Sequence, residues 1–245
     1  MTYCVGLLVN DGLVMIADTR TNAGVDNIST YRKLHVFEEP GRRVLALATA
    51  GSLSVTQTAM SLLQEGVLNP DSGLVETLED CTSVFRAAQL VGHALRKVRH
   101  ELGPSMQAES VSYDATILLG GQMIGGPLQL FMVYGVGNFI ECSNDTPYLQ
   151  IGEHKYGKPI LDRSIRFDTP LADVLKIGLI SFTSTMRSNL AVGLPLDLIV
   201  IRRGSLDPAV QHRIGADDPY FSELGEQWSA ALNAAHQAIA PPPYG

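Results

Sequence analysis

A chain of 245 residues, 45% of them hydrophobic, with a net charge of −7, can bury a sizeable core, and its length fits one large domain. The acidic balance leaves no electrostatic footprint for nucleic acid, and no apolar run reaches membrane-spanning length. Three cysteines without a C-x-x-C pair argue against structural zinc and against a disulfide framework.

Residues 3–9 read as a strand, Asn10-Asp11-Gly12 as a hairpin turn and 13–17 as the return strand. Thr19 to Thr30 reads as a polar loop. "RRVLALATA" (42–50) is almost wholly apolar after its arginines, the pattern of a strand buried on both faces. Gly51-Ser52 punctuates, and a helix is expected over 53–65, with Ser52 as N-cap and Gly66 as its end. A longer helix over 75–102 follows from the stripe Leu78, Cys81, Val84, Phe85, Ala88, Val91, Leu95, Val98 and Leu102, with Gly103-Pro104 expected to stop it. A second β run covers 115–121, 128–135, 139–142 and 148–151. A third helix is expected to start at the Thr169 N-cap with Pro170 at the first helical position and to run to about Arg187. One more apolar strand (196–201) and an amphipathic segment (219–239) complete a domain over 1–240, with 241–245 as a frayed proline-rich tail. Clustered strands, rather than strict βαβ alternation, place the chain in the α+β class, with antiparallel sheets and helices layered outside. With no charged-then-apolar leader before the first strand, the expected location is cytoplasmic.

Thr2 stands directly before that first strand. Once Met1 is removed, Thr2 carries both a hydroxyl and a free α-amine of pKa about 7.7–8, a base able to take the hydroxyl proton near neutral pH. A hairpin returns the end of the second strand to the start of the first, so Asp18 is expected beside Thr2. If Lys33 reaches the same place, Asp18 can hold it where it tunes the amine and the hydroxyl. Gly51, between a buried strand and a helix N-terminus, can offer its N–H to developing negative charge on a substrate carbonyl. His93 and His100, seven residues apart on the long helix, read as surface or groove residues rather than metal ligands, and His35 as structural. "GVGNFI" (135–140) lacks the third glycine of a phosphate loop. Arg96-Lys97-Val98-Arg99-His100 reads as a solvated helix end.

"IADTRTNAG" (16–24) resembles the segment around the catalytic aspartate of proteasome β-type subunits, and "ATAGS" (48–52) resembles their strand-to-helix glycine. "MTYCVGLLVNDGLVMIADTRTNAGVDNIST" and "STMRSNLAVGLPLDLIVI" are more closely similar to Anbu, the bacterial proteasome-related family called ancestral β subunit. The resemblance runs over essentially the whole chain and implies an N-terminal-nucleophile hydrolase with a four-layer αββα sandwich. It further implies Thr2 as nucleophile, Asp18 as buried acid, Lys33 as catalytic lysine and Gly51 as oxyanion glycine. Thr21 and Asn22 would lie along the substrate strand, and Thr49 would shape the first specificity pocket. Two motifs depart from the proteasome pattern: Asn138, in "YGVGNF", stands near an expected serine, and in "RSNLAVG" Ser188 stands for an aspartate and Ala191 for a serine.

The implied activity is threonine-type cleavage of a peptide or amide bond, with either the α-amine or Lys33 as base and with no metal or cofactor. The alternatives are an amidase specialised for small peptides and a non-catalytic ring scaffold. The implied partners are a peptide or small amide substrate and further copies of the chain in a ring or an open spiral. Neither nucleic acid nor membrane is expected, and an ATP-dependent partner or enzymes of a dedicated pathway are left open.

Overall fold

The computed structural model describes residues 1–22, 28–70 and 72–244. Its strands are β1 (Tyr3–Val9), β2 (Gly12–Asp18), β3 (Arg20–Asn22), β4 (Ile28–Thr30), β5 (Leu34–Glu39) and β6 (Arg43–Gly51). Helix α1 (Leu53–Glu65), the short β7 (Val67–Leu68) and β8 (Val75–Glu76), and helix α2 (Val84–Ala108) come next. Then follow β9 (Ala115–Met123), β10 (Gln129–Tyr134), β11 (Phe139–Glu141), β12 (Tyr148–Gly152), α3 (Lys158–Ser164), α4 (Leu171–Ser188), β13 (Leu196–Arg202), β14 (Val210–Ile214) and α5 (Pro219–Ala238).

Two five-stranded antiparallel sheets carry the architecture, in the orders β12-β1-β2-β13-β14 and β11-β10-β9-β6-β5. Alternation along the strands decides which residues enter which core. Tyr3, Val5 and Leu7 of β1 point to a core shared with Phe182, Val174 and Leu179 of α4, whereas Cys4 and Leu8 join the core between the two sheets. Leu45 and Leu47 of β6 face Ala59 and Leu63 of α1 and Leu95 of α2, while Ala46 and Ala48 face the opposite sheet. The result is the expected α+β class in four layers, helix–sheet–sheet–helix. Strands with apolar residues on both faces are the consequence of a sheet covered on both sides.

The structure differs from the sequence reading in several places. The expected loop from Thr19 to Thr30 contains a two-stranded ribbon, β3 against β4, and its residues 23–27 lie outside the described residues. The long helix begins at Val84, because Thr77 and Asp80 close a reciprocal cap around a single 3₁₀ turn and Ser83 caps the helix proper. It continues past Pro104 to Ala108, since Leu102 and Met106 both pack on the core beneath. Helix α3 and the strands β5, β7, β8 and β14 were not expected, and α4 starts at Leu171 with Pro170 at its N-cap, because the Thr169 hydroxyl accepts the Arg166 N–H instead of capping the helix. β14 is exposed along most of its length and carries almost no apolar alternation, so it has little sequence signal.

Candidate active site

Asp18 ends β2. Cys4 pairs with Ala17, so the next step of the ladder sets Asp18 opposite Tyr3, at the head of β1. The carboxylate is fully buried. Its Oδ1 accepts the backbone N–H of Tyr3 at 3.0 Å and the Lys33 ammonium at 2.9 Å. That N–H belongs to the peptide linking Thr2 to Tyr3, so Lys33 Nζ lies no more than two hydrogen-bond lengths from it. Burial pushes the Asp18 carboxyl up from its ordinary range; the charge and hydrogen bond of Lys33 and the backbone amides of Tyr3 and Gly193 act against that push without cancelling it.

Lys33 is 4% exposed and also donates to the Arg20 carbonyl at 2.6 Å. A buried ammonium needs such partners, because desolvation costs several kcal/mol per ion in order of magnitude. Its own carbonyl accepts the Thr49 N–H at 3.0 Å, which ties the lysine to the last turn of the β6 ladder. Thr49 is buried, and its Oγ1 lies 3.5 Å from the same carbonyl.

Thr2 is 9% exposed, although Met1 before it is 65% exposed. The Thr2 carbonyl accepts the N–H of Glu153 at 2.6 Å. Gly152 makes this approach feasible: its φ is +80°, and a Cβ there would sit 2.0 Å from the Thr2 oxygen. Contacts between the sheets then set Gly51 at the same end. A Cβ on Gly6 would touch Leu130, whose row continues through Gly120 to Ala46 of β6. Two residues nearer the start of β1, the Cys4 thiol reaches the Thr49 carbonyl at 3.6 Å. Moving back along β1 therefore means moving forward along β6, and two residues further on each strand stand Thr2 and Gly51. Gly51 has φ +109°, with Asp114 O only 2.1 Å from where a Cβ would be, so no other residue fits without moving backbone. Helix α1 starts two residues later; its N-cap Ser52 makes no side-chain cap bond, and its first turn holds no acidic residue.

Thr2, Asp18, Lys33, Thr49 and Gly51 are thus brought to one end of the sandwich. Thr21, opposite Ser29 in the β3–β4 ribbon, stands one residue after the carbonyl that binds Lys33, and Asn22 follows it on the same strand. Asn138 and Ser188 are both exposed, and neither side chain bonds to these residues. Asn138 is exposed in the turn between β10 and β11, where its carbonyl accepts the Tyr134 N–H. Ser188 is exposed at the end of α4 and lines an outer groove with Met186, Trp228 and Leu232. Ala191 donates its N–H to Asn189 Oδ1. It is Asn189 that turns to the site, donating from Nδ2 to Glu153 Oε2 at 3.1 Å. Glu153 and Asn189 escaped sequence reasoning because only the pairing of β12 with β1 puts Glu153 beside Thr2.

His93 is half-buried on α2 and His100 exposed. Burial and the nearby Arg32 charge lower the pKa of His35. Among the described residues, no three metal-ligating side chains gather, and no helix is long and apolar enough to cross a membrane.

No family model and no curated protein matches this chain. Solved structures do. Anbu (ancestral beta-subunit) from Yersinia bercovieri is 44% identical, with 99% of this chain and 100% of that one covered, at a TM-score of 0.89. Anbu from Hyphomicrobium sp. strain MC1 is 44% identical over 98% and 99%, with a TM-score of 0.88. The subunit of the helical assembly of the Anbu complex from Pseudomonas aeruginosa is 45% identical over 99% and 98%, with a TM-score of 0.90. With identity at this level over almost every residue, and with the same four layers, the chain belongs to the Anbu family of ancestral β-subunits.

Proposed function

We propose that the protein is a threonine-type amide hydrolase whose nucleophile is the Thr2 hydroxyl. The observation that carries this reading is the single oxygen, Asp18 Oδ1, shared by Lys33 and the Thr2–Tyr3 peptide. It places a buried cation beside a threonine at the head of a strand. Thr2 Oγ attacks the carbonyl carbon of a peptide or small amide, and the hydroxyl proton passes to the freed α-amine or to Lys33. The oxyanion takes the Gly51 N–H, with the N-terminal end of α1 behind it. The C–N bond then breaks, the departing nitrogen takes a proton, and water hydrolyses the Thr2 ester. The β3–β4 ribbon, with Thr21 and Asn22, supplies backbone against which an extended substrate can pair, and Thr49 forms the floor beneath its side chain.

A β-lactone tests this directly. Ring opening by Thr2 adds the whole mass of the probe as an ester on Oγ. Intact mass should show one adduct per chain, and peptide mapping should place it on Thr2. Labelling that persists in Thr2→Ala, or that maps elsewhere, would sink the assignment.

We also propose that copies of this chain associate side by side, as the helical assembly of the Pseudomonas aeruginosa relative suggests. An isolated subunit leaves large apolar side chains such as Leu190, Leu232 and Val136 exposed, surface that neighbours would cover. Light scattering at micromolar concentration should give a multimer; a mass of 26.4 kDa, that of one chain, would refute the proposal.

A further inference from the structure

The strand that carries Thr2 is interior. β1 lies between β12 and β2, and each neighbour ends in a buried carboxylate beside its head: Glu153 just past β12, and Asp18 at the end of β2. The segment between α4 and β13 touches both. Asn189 donates to Glu153 Oε2 at 3.1 Å, and the Gly193 amide faces Asp18. A segment reaching both flanking strands has to cross the head of β1, where the Thr2 nitrogen emerges. Arg20 pins the crossing, with its guanidinium bonded to Leu190 O at 2.7 Å and packed on Gly193.

Glu153 is linked to Thr2 more closely than any other acidic residue described. Its N–H donates to the Thr2 carbonyl, and its side chain is only 5% exposed. One carboxylate oxygen is held by Asn189; the other faces Lys155 Nζ at 3.8 Å, an exposed partner too distant for a good hydrogen bond. That oxygen retains accepting capacity, and the ladder sets Glu153 opposite Thr2, whose nitrogen becomes a protonated amine when Met1 leaves.

We infer that Glu153, anchored by Asn189, is a positioning residue that accepts a hydrogen bond from the freed α-amine of Thr2 and holds it beside Oγ. The inference rests on Thr2 being the mature N-terminus. Among the described residues, the charged and titratable groups around that nitrogen are Asp18 on β2, Lys33 ahead of β5, Arg20 on β3, and Glu153, His154 and Lys155 after β12. Asp18 is already matched by a buried Lys33 at 2.9 Å, whereas Glu153 has only the exposed Lys155 at 3.8 Å, so Glu153 supplies the less compensated negative charge. A carboxylate there favours the ammonium form and raises the amine pKa.

Competitive trace acetylation of the assembled, Met1-free protein at graded pH, read by mass spectrometry of the N-terminal peptide, gives the pKa of that amine. Glu153→Gln is isosteric and keeps an oxygen for Asn189, so the backbone bond to Thr2 should survive. It should lower the amine pKa by about one unit, and Glu153→Asp should restore at least half of the shift. Equal pKa values in wild type and Glu153→Gln would overturn the inference, as would a Glu153→Asp value matching Glu153→Gln. Acetylation reports the amine whether or not the protein turns over a substrate. Failure of lactone labelling with an intact pKa shift would therefore refute the hydrolase and leave the positioning role standing.

Discussion

A chain that keeps Met1 will react with a β-lactone roughly 10²–10⁴-fold more slowly than one that begins at Thr2, the range usually lost with a general base. With Met1 attached, the Thr2 nitrogen is an amide without a basic lone pair, and the exposed methionine adds bulk beside the hydroxyl. Threonine is small enough for a methionine aminopeptidase to remove the residue before it. Intact mass before and after labelling sorts the two forms in one sample. Every adduct should sit on a chain lacking Met1, and adducts on chains retaining it would show that the amine has no part in the chemistry.

Lys33→Ala should abolish labelling and also weaken the fold. Removing the cation leaves a fully buried Asp18 with no opposite charge, a loss typically of about 3–5 kcal/mol, or about 10 °C in the thermal midpoint of a chain this size. The pH dependence has a fixed sign. Burial already raises the Asp18 carboxyl in the folded protein, so its contribution to stability is fully present below the unfolded pKa and is lost as pH rises through the folded one. Without Lys33 the folded value climbs further. The thermal deficit of Lys33→Ala should therefore be largest at alkaline pH and shrink on acidification. Adding Asp18→Asn to the same chain should remove that pH dependence. A deficit that grows as pH falls would mean that Asp18 is not the group left unpaired.

The strands were legible where periodicity speaks. β1, β2, β6 and β13 are apolar on both faces and bounded by turn residues, so their limits could be read to within a residue or two. Helix α1 was placed at its bounds because Gly51-Ser52 and Gly66 bracket it. The β3–β4 ribbon was missed because three-residue strands carry no period, and Pro104 misled because packing of Met106 outweighs one lost backbone bond. In the site, Asp18 and Lys33 could be anticipated from hairpin geometry and family resemblance. The partners that reach the Thr2 end from β12 and from the α4–β13 segment could not. Glu153 is 151 residues from Thr2 in the sequence, and nothing local to "IGEHK" announces a pairing with β1. Asn189 went unread for a related reason: only the observed end of α4 decides which of two adjacent side chains, Ser188 or Asn189, turns towards Glu153.

Chain termini are ordinarily the first segments to open, because little holds them. Here the residue after Met1 leads straight into an interior strand, and its peptide is locked to Asp18 on one side and to Glu153 on the other. For Thr2 to fray, β1 must part from both neighbours at this end. Lactone labelling and tertiary structure should therefore be lost over one temperature interval on heating, and the Tyr3 and Glu153 amides should be among the slowest to exchange their hydrogens.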